Sequence, residues 1–303
     1  MLIRKLSLTF IFICCLAGIS CDAAQKEECR TIATQIIQRF DPKIELLEGL
    51  QENNLKKVKF ALESGASPDE DLSWQIKEGT LHYTPLTLIA SNKDKTSIDI
   101  AKLLLQYGAN VNKKDKMENS PLVRAIWKEN YPLVDLLIAE NADINQVSHS
   151  MSPLTVALNF RNNNLALKLL ESGANADIDI LNSAIATSAN ILLIKKIIKK
   201  GIDVNNKDNC NRTPIEIAVT VGNYQALEYL LSQGADVNIK SGVGGLNQTP
   251  LEMAINQKNI GMVDFLLEHG ASITGAYEYA LKGGTPEIAE LIRQHEEKLA
   301  QSK

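Results

Sequence analysis

The chain reads as an all-α solenoid, in which stacked helix–turn–helix layers are joined by β-hairpin-like turns. Three observations predict this. First, a helix tail ending in Leu-Leu and a Gly-Ala turn recur together. The copies are Leu104-Leu105 with Gly108-Ala109-Asn110, Leu169-Leu170 with Gly173-Ala174-Asn175, Leu230-Leu231 with Gly234-Ala235-Asp236, and Leu266-Leu267 with Gly270-Ala271-Ser272. With looser copies at Gly65, Asn141 and Gly201, the turns fall 43, 33, 32, 28, 33 and 36 residues apart, a period that marks a stacked array. Second, a Thr/Ser-Pro phrase opens five helices at Thr84, Ser120, Ser152, Thr213 and Thr249. Third, the 303 residues are 45% hydrophobic but only 5% aromatic, which suits thin layers that bury their apolar faces on neighbours.

Taken in order, residues 1–23 read as a signal peptide. Arg4 and Lys5 precede the apolar run Leu6–Ile19, which is too short for a comfortable membrane span, and small residues follow. Leu16-Ala17-Gly18-Ile19-Ser20-Cys21 also resembles a bacterial lipoprotein signal, which would place a lipid on Cys21, although Gly18 stands where a branched residue is preferred. Cleavage without lipidation and retention as an uncleaved anchor are the other readings.

Residues 24–42 predict an N-terminal helix, with Ile32, Ile36, Ile37 and Phe40 at helical spacing. Residues 43–66 form a degenerate capping repeat, begun by Asp41-Pro42 as a helix start and split at Glu52-Asn53-Asn54. Residues 67–83 read as an irregular insertion loop, acidic at Asp69, Glu70 and Asp71. Insertions of this kind map to one face of a solenoid.

From 84 to 275 the layers are regular, with openings near 84, 120, 152, 179, 213 and 249. Thr or Ser caps the free N–H groups and Pro occupies the first turn, where no hydrogen bond is lost. The opening near Asp179 lacks the phrase and follows Gly173 closely, so its hairpin is truncated. Glu129 and Asn141 stand where other copies have Gly. Residues 276–303 complete the chain as a capping helix pair with a charged, frayed tail from Glu296.

These phrases resemble the ankyrin repeat, whose signature runs Thr-Pro-Leu-His-x-Ala to Gly-Ala-Asp-Val-Asn. Ala109-Asn110-Val111-Asn112 and Ala235-Asp236-Val237-Asn238 match its end. The family His is absent throughout: Thr87, Val123, Thr155, Glu216 and Glu252 occupy its place. The inter-repeat hydrogen bonds that it supports are therefore in question.

Residue patterns that carry chemistry are few. His82, His149, His269 and His295 share no ligand spacing, so no metal site or catalytic residue is expected, and no cofactor. Gly242-Val243-Gly244-Gly245 does not open onto a helix as a phosphate loop must. After the signal, Cys21, Cys29 and Cys210 form no disulfide framework. A net charge of −4 gives no footprint for nucleic acid.

Surface recognition remains. The resemblance implies binding of proteins through hairpin tips and the exposed face of each first helix. The face positions, seven and eight after each opening, hold Trp127 and Lys128, Asn159 and Phe160, Thr220 and Val221, and Asn256 and Gln257. The hairpins add Tyr83, Met117, Asn119, His149, Met151, Cys210, Arg212, Leu246 and Gln248. The partner-binding candidates are Trp127, Lys128, Asn159, Phe160, Tyr83, Met117, His149 and Met151. A Trp at an exposed helix position marks an interface, or else it staples two layers by packing on the next hairpin. The expectation is thus an exported, non-catalytic scaffold for unidentified proteins, with the membrane reached only through a lipid on Cys21. An envelope lipoprotein, a host-directed effector and an enzyme accessory are the alternatives.

Overall fold

A computed structural model describes residues 41–76, 79–242 and 247–301, which divide into two compact units at Pro153/Leu154. The signal segment with Cys21, the helix expected over Glu28–Phe40, and Val243–Leu246 lie outside the described residues.

In the first unit, α1 (Pro42–Gln51) and α2 (Leu55–Glu63) pack as a pair. Asp41 caps α1 by accepting the Lys43 N–H at 2.8 Å. Lys57 on α2 donates to Glu48 and Glu52, which push its ammonium up to about 12. The expected irregular loop is instead an antiparallel hairpin, β1 (Leu72–Ile76) with β2 (Gly79–Tyr83), in register from Leu72 opposite Tyr83 to Ile76 opposite Gly79. Leu72, Trp74 and Ile76 alternate with Ser73 and Gln75, a period-two signal masked by the acidic run before it. Leu72 and Tyr83 close its base and are buried.

Next come α3 (Pro85–Ile89) with α4 (Lys95–Gln106), and α5 (Pro121–Trp127) with α6 (Tyr131–Ala139). Thr84 and Ser120 cap the first helices of these layers as the sequence requires. Glu129 and Asn141 adopt φ of 53° and 61°, the left-handed geometry that Gly supplies elsewhere.

The second unit is built from α7 (Pro153–Asn159) and α8 (Asn163–Glu171), α9 (Ile178–Ala186) and α10 (Ile191–Ile198), and α11 (Pro214–Val221) and α12 (Tyr224–Ser232). Then follow α13 (Pro250–Asn256) and α14 (Ile260–Glu268), and α15 (Ala276–Lys282) and α16 (Pro286–Gln301). Asp177 replaces the usual opening of α9, accepting the Ile180 N–H at 2.9 Å, and only three residues separate it from Gly173. The frayed tail expected from Glu296 is a correction: α16 continues to Gln301. Arg293 pairs with Glu290 and Glu297 one turn to either side, and it holds the Glu290 carboxyl at about 2.

Asparagine supplies many of the caps and bridges of the array. Asn54, Asn130, Asn162, Asn190, Asn223 and Asn259 each cap a second helix. Another set bridges layers within each unit. Asn112 Oδ1 accepts the Asp143 N–H at 2.7 Å, Asn205 that of Asp236 at 2.8 Å, and Asn238 that of Ser272 at 2.7 Å. In the first layer Asp69 takes this role, receiving the Asn110 N–H at 3.0 Å. Ser148 and Ser241 complete the hairpin joins: Ser120 N–H donates to Ser148 Oγ at 2.9 Å, and Thr213 Oγ1 lies 3.3 Å from Ser241 Oγ.

Candidate partner-binding surface

In the first unit the expected aromatics do different jobs. Trp127, the last residue of α5, is partly buried and stacks on His149, with centroids 5.5 Å apart and planes inclined by 28°. His149 sits at a hairpin tip with φ of 49°, and its Nε2 lies 3.1 Å from Asn119 Oδ1. Asn119 Nδ2 in turn donates to both oxygens of buried Asp115. A carboxylate only accepts, so the amide presents Oδ1 to His149, and Nε2 must carry the proton. The chain Asp115–Asn119–His149–Trp127 therefore fastens α5 to the following hairpin, the staple arrangement.

Tyr83 is corrected from surface to interior. It is 9% exposed, and the Arg124 guanidinium lies 4.6 Å from its ring centroid. Met151 is partly buried and returns the chain in a two-bond bridge with Ser148 at 2.9 Å. Met117, 40% exposed, and Lys128, beyond the end of α5, do reach solvent.

In the second unit Asn159 and Phe160 are exposed, Phe160 by 48%. Val221, at the same place eight residues after its opening, is 40% exposed. Thr187 holds this place in the layer between them, counted from Asp179, and is partly buried. Asn256 is held by the Tyr279 hydroxyl, and Gln257 Nε2 donates to Thr220 O at 3.5 Å.

Sequence reasoning missed the anchor beneath the Cys210 hairpin. Asp208 has a side chain 1% exposed and accepts from Cys210 N–H, Arg212 N–H, Arg212 Nε and Asn182 Nδ2 within 3.0 Å. Burial pushes its carboxyl up, but the Arg212 N–H, the Asn182 amide, the Arg212 guanidinium and the Cys210 N–H outweigh this and hold it below the usual range. Asp115 stands in the same place before Ser120, so an Asp five residues before the opening is the available signal. Among the described residues, no group of three or more His, Cys, Asp or Glu side chains is placed to hold a metal ion. No described helix is long and apolar enough to cross a membrane.

The family model for ankyrin repeats, in three copies, matches residues 46–148, 154–241 and 181–277. The chain belongs to the ankyrin repeat family. Similar members include ankyrin repeat protein FPV031 of Fowlpox virus (strain NVSL), 30% identical over 166 residues, which are 50% of this chain and 48% of that protein. Rabankyrin-5 of Mus musculus is 29% identical over 212 residues, 64% of this chain and 18% of that protein. The chain thus spans about half or less of these relatives. In fold it resembles the human ASB11 ankyrin repeat domain, with a TM-score of 0.54 at 22% identity, covering 69% of this chain and 98% of that one. The Bcl-3 ankyrin repeat domain gives 0.53 at 21% identity, covering 63% and 88%. Ankyrin repeats are generally non-catalytic scaffolds for protein–protein interaction.

Proposed function

We propose that this ankyrin repeat protein is an exported scaffold that binds one or more other proteins through hairpin tips and the exposed ends of its first helices, without catalysis of its own. The observation that carries this reading is the recurrence of exposed apolar side chains at one repeat position, Phe160 and Val221. Each lies at the end of a short first helix, where burying it against a partner would recover apolar area that folding leaves in water. Lys128 holds the same position in the first unit, and Met117 offers a hairpin-tip contact. Trp127, by contrast, is reassigned to holding its layer together, because its ring face is taken by His149.

Export rests on Arg4, Lys5 and the apolar run Leu6–Ile19. A second reading, favoured by Leu16–Cys21, is an envelope protein anchored by lipid on Cys21; metabolic lipid labelling of wild type against Cys21→Ser separates the two. A host-directed effector would use the same surface on a different partner.

The test is comparative affinity capture from the native compartment with wild type, Phe160→Ser/Val221→Ser and Lys56→Ser/Lys102→Ser, the last pair being exposed on second helices. The first double variant should lose a set of proteins that wild type and the second retain. Equal recovery by all three overturns the assignment.

A further inference from the structure

α10 carries a charged face that protein binding at the first helices does not use. Four of the six residues from Lys195 to Lys200 are lysine, in a chain whose net charge is −4. At about 100° per residue, Lys195, Lys199, Leu192, Lys196 and Lys200 fall within an arc of about 140° on α10 and its C-terminal end. The opposite side is spent on the core: Leu193, Ile194, Ile197 and Ile198 are buried. Leu192, near the middle of the arc, is 50% exposed.

The helices beside α10 do little to neutralise this arc. α10 packs between α8 and α12. Lys196 pairs with Glu171 of α8, and Lys195 lies 5.0 Å from the Tyr229 ring centroid of α12. Glu228 is the acidic residue of α12, while α8 adds the further cation Lys168. Lys199 and Lys200 are exposed beyond the helix end. Positive charge there also complements the helix C-terminus, so it adds to stability as well as to the field.

We propose that this outer face of the second unit docks on an anionic phospholipid surface, with the lysines meeting headgroup phosphates and Leu192 entering the interface. The chemistry favours lipid over an acidic polypeptide. Lysines are point charges on flexible stems and need no fixed geometry from the phosphates they meet, whereas a peptide carboxylate is recognised best by the planar fork of Arg, absent from this arc. An exposed apolar residue with lysines three, four, seven and eight residues further along the same face is the arrangement of an interfacial helix, in which lysine stems cover apolar surface while their heads reach the charged layer. The rest of the chain is net negative, so this face biases the orientation of approach. The sequence allowed membrane contact only through Cys21; this face supplies a route independent of it.

Vesicle flotation of the full chain tests this, using phosphatidylcholine vesicles with and without about one third phosphatidylglycerol. The readout is the ratio of binding to the two, compared between variants that all carry Arg4, Lys5 and the apolar run, so that the contribution of the N-terminus is common to each. Wild type should favour the anionic vesicles, and Lys199→Glu/Lys200→Glu should reduce that preference by about 20-fold or more. Raising salt from about 0.1 M to about 0.5 M should also erode it. Lys102→Glu/Lys240→Glu, with the same change in net charge, should keep most of it. A ratio near one for wild type, or equal losses in the two double variants, overturns the proposal. So does retention on immobilised polyglutamate without preference for anionic vesicles, which would assign the face to an acidic polypeptide.

Discussion

Two residues decide how this protein holds its surface in place. Trp127 stacks on His149 across a layer junction, and such ring pairs contribute about 0.5–1.5 kcal/mol beyond area burial. A double-mutant cycle with Trp127→Ala and His149→Ala, read by urea unfolding, should return a coupling in that range; additive effects would mean the stack contributes nothing. Asp208 is the other. Its carboxyl sits below the usual range, so its stabilisation is complete at neutral pH and is lost as pH falls through its folded-state value. Asp208→Asn should therefore cost about 2 kcal/mol or more at neutral pH, with the gap to wild type narrowing in acid. A gap independent of pH would contradict this. Neither role was fully legible from sequence. Spacing put Trp127 on the face but did not give the direction of its ring, because His149 arrives from the next repeat. Tyr83 was misplaced for the same reason: Arg124, which covers it, lies in the following layer.

At the scale of elements, the Thr/Ser-Pro openings and left-handed turns could be read directly, because caps and turn residues are local chemistry. Glu129 and Asn141 illustrate this, adopting the conformation their positions required. The β1–β2 hairpin is hard to read from sequence because its period-two run is only five residues long and follows an acidic stretch without strand character. Along α16, Arg293 reaches Glu290 and Glu297 together, pairs that support a helix the charged composition of its tail obscured. The inter-layer asparagines were visible as part of the Val-Asn phrase, but their purpose was not. Asn205 accepts the Asp236 N–H and donates to Gly234 O at 3.0 Å. Asn205→Ala should lower stability by about 1–2 kcal/mol without loss of helical signal in the folded state. An unchanged urea midpoint would show that these bridges merely replace water.

At the scale of the whole molecule, the repeat period announced the fold, and the family match confirms it over most of the chain. The site was less legible, since a repeat fixes where side chains project but not which of them remain uncovered. Phe160 stood among the candidates, while Val221 was only a face position until its exposure became known. The lysines of α10 were hidden by a net charge of −4, which averages over faces that a partner meets singly. The central claim is that the exposed first-helix ends are where a protein partner sits. Photocrosslinking in the native compartment tests it most directly, with the crosslinking residue placed in turn at 160, 221, 102 and 56. The account predicts the same adducts from 160 and 221, and none from 102 or 56, which are exposed on second helices. Adducts that form equally from all four positions, or only from 102 and 56, would contradict it.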